Sequence, residues 1–183
     1  MESKNIASEK NDFRKKIREI KRSVSEEVKN LKSENIFAKV KENEYFLKSK
    51  IVMMYWSLPD EVQTHEAVKN FASNKKILLP VVKGDVLELR EFRSEADLSA
   101  ENKLGIGEPV GNAFTNYEKI DLIIVPGLAF DKSNNRLGRG KAYYDKLLKH
   151  TTAIKIGVCF DFQFFESIPH NENDVKMDEV IMA

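Results

Sequence analysis

The chain has 183 residues, 42% hydrophobic and 32% charged, with a formal net charge of +1. That length buries the core of one domain, and the near-zero charge argues against a general nucleic-acid binder, which carries a basic excess. The single cysteine, Cys159, excludes an internal disulfide and a cysteine-based zinc site. No apolar stretch is long enough to span a bilayer and the first residues hold no signal-peptide core, so the expected location is cytoplasmic, with no membrane partner.

Residues 9–49 show a helical apolar period that breaks near Ser23, Val24 and Ser25. Phe13, Ile17 and Ile20 mark the stripe before the break, and Val28, Leu31, Ile36, Val40 and Leu47 continue it, which predicts two amphipathic helices. Ser25 is placed to cap the second, with Glu26 and Glu27 in its first turn. Arg14, Lys15, Lys16, Arg18, Lys21 and Arg22 form the strongest basic run, most of which reads as a solvated helix surface.

Residues 51–56 and 77–82 are apolar runs of strand composition, and residues 64–71 fit a helix between them with Thr64 as a candidate cap. Together they predict a β-α-β unit with parallel strands. Between residues 83 and 119 the pattern weakens to one candidate strand around Val86, Leu87 and Leu89, then a loop punctuated by Gly105, Gly107, Pro109 and Gly111. Gly105-Ile106-Gly107 opens like a dinucleotide fingerprint, but no strong strand precedes it and Pro109 follows, so it reads as turn chemistry.

Residues 121–148 organise the rest: a buried strand at 122–125, a loop entered through Pro126-Gly127, a Gly138-Arg139-Gly140-Lys141 turn, and a helix with Tyr143, Tyr144 and Asp145. In that order, free backbone N–H groups and the positive end of a helix dipole converge, which suits an anion such as a nucleotide phosphate. Arg136, Arg139 and Lys141 add positive charge, and Asp145 offers a carboxylate where a divalent cation bridging to phosphate can sit. The Walker A pattern fails twice, at Ala142 in place of Ser or Thr and at Asn135 in place of glycine. By spacing alone, Lys141 and Asp145 also fit an i,i+4 surface ion pair.

Residues 154–160 complete a second β-α-β unit, and residues 179–182 make a final strand. The expected fold is α/β: a single-domain, three-layer α/β/α arrangement over residues 1–183, with a mostly parallel central sheet and the N-terminal helices packed on it. His65, His150 and His170 show no metal-ligand spacing, and Cys159 in its apolar strand reads as buried and inert.

The run from Leu122 to Asp131, LIIVPGLAFD, followed by RLGRGKAYYD from Arg136 to Asp145, closely resembles the signature of the 5-formyltetrahydrofolate cyclo-ligases. Lys10 with Arg14 resembles that family's Lys-x-x-x-Arg, Asp60-Glu61 with Thr64 its Glu-x-x-Thr after the first strand, and Asn173-Asp174 its late acidic position. The resemblance implies ATP as co-substrate, held by Lys10, Arg14, Arg136, Leu137, Gly138, Arg139, Gly140, Lys141, Ala142, Tyr143 and Tyr144. It implies folate contacts from Trp56, Glu61, Arg139, Gly140, Lys141, Ala142 and Tyr143, and Mg2+ placed by Asp145 and Asp174. Lys141, Arg139 and Tyr143 are then the catalytic candidates.

The implied reaction converts 5-formyltetrahydrofolate to 5,10-methenyltetrahydrofolate with release of ADP and phosphate, in a monomer whose partners are small molecules. Ala142, where most members have glycine, sets a methyl beside the expected phosphates, and Asn134 replaces a loop glycine in a position where asparagine tolerates the left-handed conformation. The competing reading is a non-catalytic nucleotide- or phosphate-binding regulator on the same fold. A nucleic-acid protein using the basic helix and a sugar-phosphate isomerase acting without ATP stand further off.

Overall fold

The computed structural model describes residues 2–99 and 107–183. Helices α1 (Glu2–Ser23), α2 (Glu26–Glu42) and α3 (Glu44–Lys48) open the chain, followed by strand β1 (Ile51–Met53), helix α4 (His65–Phe71), and strands β2 (Lys76–Lys83) and β3 (Val86–Phe92). Short strands β4 (Leu98–Ser99), β5 (Glu108–Pro109) and β6 (Ala113–Phe114) lead to β7 (Leu122–Pro126), β8 (Ala129–Asp131) and β9 (Arg136–Leu137). Helix α5 (Tyr143–Leu148) and strands β10 (Ile154–Cys159), β11 (Phe164–Phe165) and β12 (Glu179–Met182) complete it. Gly105 and Ile106 of the fingerprint-like piece lie outside the described residues.

The main sheet has the order β12-β10-β7-β1-β2-β3-β6. Pairing is parallel from β12 through β2, and β3 and β6 add antiparallel at one edge, so the mostly parallel α/β sheet expected from sequence is present. Alternation along the strands sorts the two faces. Ile77, Leu79, Leu122, Ile124, Ile156 and Val158 pack with Ile36, Phe37 and Val40 of α2, Phe46 of α3 and Val68 of α4. Met53, Leu78, Leu89, Ile123 and Val125 face the other way, against Leu147 and Leu148 of α5. Helices thus cover both sides of the sheet.

Four local expectations are corrected. The second predicted helix is two, because Asn43 ends α2 and caps α3, its Oδ1 accepting from Tyr45 N at 3.0 Å. The stripe also shifts: Val28, Leu31 and Leu47 are 42%, 59% and 63% exposed. The inward face of α2 runs through Lys29, Ser33, Ile36, Phe37 and Val40, a better 3.6-residue period, and the break at Asn43 resets the phase so that Phe46 points in. Thr64 does not cap α4; its Oγ1 donates to Tyr55 O at 2.5 Å and accepts from Ser57 N at 3.0 Å. Finally, α1 packs through Phe13, Ile17 and Ile20 on a second, three-stranded sheet, β11-β8-β9, through Ala129, Leu137 and Phe165.

Candidate active site

Chain order reverses between β1 and β7: β1 leads to β2 on one side, whereas β7 leads to β10 on the other. Crevices at the carboxyl ends of strands at such a switch point are where open α/β sheets bind ligands. The segments leaving β1 and β7 carry Trp56, Asp60 and Glu61, and the Gly138–Lys141 region, respectively.

The segment after β1 is held by local hydrogen bonds. Thr64, fully buried, bridges Tyr55 and Ser57 as above, and Thr64 N donates to Ser57 Oγ at 3.0 Å. Glu61 Oε2 accepts from Leu58 N at 3.1 Å, which turns the carboxylate back over its own loop. Trp56 stacks on His65, with ring centroids 4.1 Å apart, and packs at 5.6 Å against Phe92. His65 Nε2 lies 3.1 Å from Ser57 O, and burial holds its pKa below the usual histidine value, so it is a neutral partner of the indole near pH 7.

After β7 the expected loop is a small hairpin, β8 and β9, turned by Asp131. Asp131, 1% exposed, accepts from Ser133 N and Asn135 N at 2.9 Å each, from Asn135 Nδ2 at 3.0 Å and from Ile168 N at 3.1 Å. Asn134 adopts the left-handed conformation, φ 60°, as its glycine-like position requires. The hairpin delivers Arg136, 4% exposed, into the interior, where Nη2 donates to Asp145 Oδ1 at 2.8 Å and Nη1 to Pro126 O at 3.3 Å. A methyl on Gly138 would lie 2.9 Å from Arg136 Nη1, so the glycine makes room for this fork.

The turn bends at Gly140, φ +104°, and at Ala142, φ 54°. Ala142 is an exposed L-residue in the left-handed region, a conformation that costs roughly 1–2 kcal/mol and that glycine adopts freely. The difficulty Ala142 brings is therefore one of backbone conformation. Helix α5 spans only six residues, so side-chain cations carry most of the positive charge here. Lys141 is exposed and has no hydrogen-bond or ion-pair partner among the described residues. The Lys141–Asp145 pair allowed by spacing does not form, because Asp145 is taken by Arg136.

α1 lays one face over this turn. Lys10, mostly buried, pairs with Asp174 at 2.5 Å, and Arg14 donates from Nε to Gly138 O at 2.9 Å. Val175 N donates to Asp145 Oδ1 at 3.3 Å, which brings the two candidate metal carboxylates into one neighbourhood. A second cluster joins the loops: Arg139 pairs with Asp60 at 2.5 Å and with Glu61 at 3.0 Å. Burial lowers the Arg139 pKa, but Glu61 and Asp60 outweigh it and leave the guanidinium more firmly protonated than usual.

The structure thus brings together Lys10, Arg14, Arg136, Gly138, Gly140, Asp145 and Asp174 in one cluster, and Glu61 with Arg139 beside it. Tyr143 is turned to the β2–β3 hairpin, its hydroxyl donating to Gly84 O at 3.2 Å. Trp56 is tied into the core by its stacking. The buried Tyr144 hydroxyl and Arg136 Nε have no hydrogen-bond partner among the described residues. Sequence reasoning gave Asp60, quoted beside Glu61, no role of its own, and it missed Lys21. Lys21, 3% exposed, was read with the solvated basic run, yet its Nζ donates to Asp60 Oδ2 at 2.9 Å. Among the described residues no group of three or more His, Cys, Asp or Glu side chains could enclose a metal. Cys159 is fully buried and its thiol is pushed up to about 12 by burial, so it is inert. No helix among the described residues is long and apolar enough to cross a membrane.

Fold and site together define an α/β protein with a glycine turn beside clustered cations at the sheet's switch point, cross-braced by carboxylates. The pattern of the 5-formyltetrahydrofolate cyclo-ligase family matches residues 6–183, and the chain belongs to that family. A 5-formyltetrahydrofolate cyclo-ligase of Mus musculus is 29% identical over 96% of this chain and 94% of its own, and a probable one of Caenorhabditis elegans is 30% identical over 96% and 93%. The NMR structure of Aquifex aeolicus 5,10-methenyltetrahydrofolate synthetase is 37% identical, with TM-score 0.85 over 94% of this chain and 89% of that one. A 5,10-methenyltetrahydrofolate synthetase from Mycoplasma pneumoniae is 25% identical, with TM-score 0.75 over 94% and 98%.

Proposed function

We propose that this protein converts 5-formyltetrahydrofolate and ATP to 5,10-methenyltetrahydrofolate, ADP and phosphate, as a single-domain, cytoplasmic monomer. The observation that carries the reading is the cluster around the glycine turn: Lys10, Arg14 and Arg136 gather there while Lys141 has no partner among the described residues, within the 5-formyltetrahydrofolate cyclo-ligase family. Lys141 and Arg14 neutralise the transferring phosphoryl group, and Arg139 and Glu61 hold the folate side. Lysine and arginine suit the charge, and Glu61 accepts hydrogen bonds from the amino and N–H groups of a pterin ring.

The formyl oxygen attacks the γ-phosphorus, the bond to the bridging oxygen breaks, and ADP leaves. Substrate N10 then attacks the formyl carbon, loses its proton, and closes the ring as the carbon–oxygen bond to phosphate breaks. Both nucleophiles belong to the substrate, so the protein's task is alignment and charge stabilisation, without a Ser-His or Cys-His pair. Tyr143 takes part once its hydroxyl exchanges Gly84 O for a substrate oxygen.

Asp145 and Asp174 fit Mg2+: each engages one carboxylate oxygen in the contacts above, leaving the other for a hydrated ion. Magnesium needs only one or two protein carboxylates when nucleotide phosphates and water complete its shell. When bound, it supplies charge neutralisation between the phosphates. The test is to mix protein, Mg-ATP and 5-formyltetrahydrofolate and follow the near-ultraviolet absorbance of the methenyl product, which should appear with ATP and not without it. Tight ATP binding with no formyl-folate-dependent ADP release would instead make the protein a nucleotide-binding regulator.

A further inference from the structure

The charged side chains between α1 and the two site loops form an unbroken alternating chain. Lys21 Nζ donates to Asp60 Oδ2 at 2.9 Å, Asp60 Oδ1 accepts from Arg139 Nη2 at 2.5 Å, and Arg139 Nε donates to Glu61 Oε1 at 3.0 Å. Glu61 ends it on a backbone donor, Leu58 N. Exposure is lowest at Lys21, whose side chain is 4% exposed, against 43% for Asp60, 39% for Arg139 and 15% for Glu61. Lys21 is therefore the fixed end and Arg139 the working end.

Burying an ammonium group is unfavourable, and an apolar side chain of similar length would pack as well, so packing alone does not account for lysine here. What lysine adds is direction. By engaging one oxygen of Asp60 it orients the other toward Arg139, and a guanidinium gripped by two carboxylates has little freedom left.

We propose that Lys21 is a positioning residue: acting through Asp60, it sets the place of Arg139 against Glu61 and so the shape of the folate side of the site. Lys21 itself does not reach substrate. The proposal rests on the reading of Arg139 and Glu61 as substrate contacts, but the tether it describes is measurable without any substrate.

Full-length Lys21→Met and Lys21→Arg are compared with wild type in two ways. The first is the rate at which phenylglyoxal modifies each arginine, read by peptide mass spectrometry. In Lys21→Met, Arg139 should react roughly threefold faster or more, while Arg93, which is 76% exposed, pairs with Glu91 and stands outside this charge chain, is unchanged. Lys21→Arg should restore the wild-type rate. The second is steady-state kinetics, where Lys21→Met should raise KM for 5-formyltetrahydrofolate about fivefold with kcat held within about twofold, and Lys21→Arg should reverse it.

An unchanged Arg139 rate in Lys21→Met overturns the proposal, as does a Lys21→Arg that behaves like Lys21→Met. If Lys21→Met lacks a cooperative melt, Asp60→Asn cuts the same chain while keeping side-chain shape, and an unchanged Arg139 rate there is equally fatal. A wild-type protein that forms no methenyl product refutes the functional reading, while the phenylglyoxal arm still decides the tether.

Discussion

Ala142 illustrates how one side chain changes what a site requires. Its methyl lies on an exposed, left-handed residue at the entry of α5, so its cost falls on the backbone. Ala142→Gly should raise unfolding stability by about 1 kcal/mol, since relief of the left-handed conformation exceeds glycine's extra chain entropy. Denaturant melts of the two proteins check this; a less stable glycine variant would contradict the strain.

Asp131 acts at the same scale in the opposite sense. Burial raises its pKa, but the bonds from Asn135, Ile168 and Ser133 prevail and hold it below the usual carboxylate value. A lowered folded pKa contributes stability that is fully present above the unfolded value, about 3.9, and is lost as pH falls through the folded one. The stability advantage of wild type over Asp131→Asn should therefore be large at pH 7 and shrink on acidification below pH 4, as read from denaturant midpoints at several pH values.

At the scale of elements, the β8–β9 hairpin and α5 are joined by one ion pair. Arg136 sits at 4% side-chain exposure and Asp145 at 19%. Removing the carboxylate leaves a buried cation with a single carbonyl partner, so Asp145→Ala should cost about 3 kcal/mol in stability besides any change in magnesium dependence. Asp145→Asn keeps an acceptor and should cost less, which makes it the better variant for the metal question. If Asp145→Ala melts like wild type, Arg136 has found another partner and the account of this junction is wrong.

The parallel strands of the central sheet were legible because they are largely continuous apolar runs, as buried parallel strands must be, whereas the two-residue edge strand β6 was not. The small sheet was not, since β8, β9 and β11 have two or three residues each and show no period. Thr64 was seen as a cap because its position before α4 fits one, whereas its hydroxyl serves the loop that carries Trp56 and Glu61. Lys21 was hidden for a similar reason: its partner lies 39 residues away, and nothing in the local charge pattern marks one lysine of a basic run as buried.

At the scale of the whole molecule, α1 closes the site from a distance. Packed on the small sheet, it projects Lys10 onto Asp174, Arg14 onto the glycine turn and Lys21 onto the loop after β1, so both halves of the candidate site are tied to one helix. The glycine turn itself was readable from its residues alone, and a phosphate there was an expectation from its charge; the proposal of folate as second substrate comes through the family, because a flat apolar ring and a carboxylate specify no particular ligand. Trp56 already has a ring neighbour, since it is stacked on His65.

The central claim is that the formyl oxygen is phosphorylated before the ring closes. It is tested most directly with 5-formyltetrahydrofolate carrying oxygen-18 in the formyl group, turned over with unlabelled Mg-ATP. The account predicts one labelled oxygen in each phosphate released, and none in ADP. Methenyl product formed with unlabelled phosphate would contradict it.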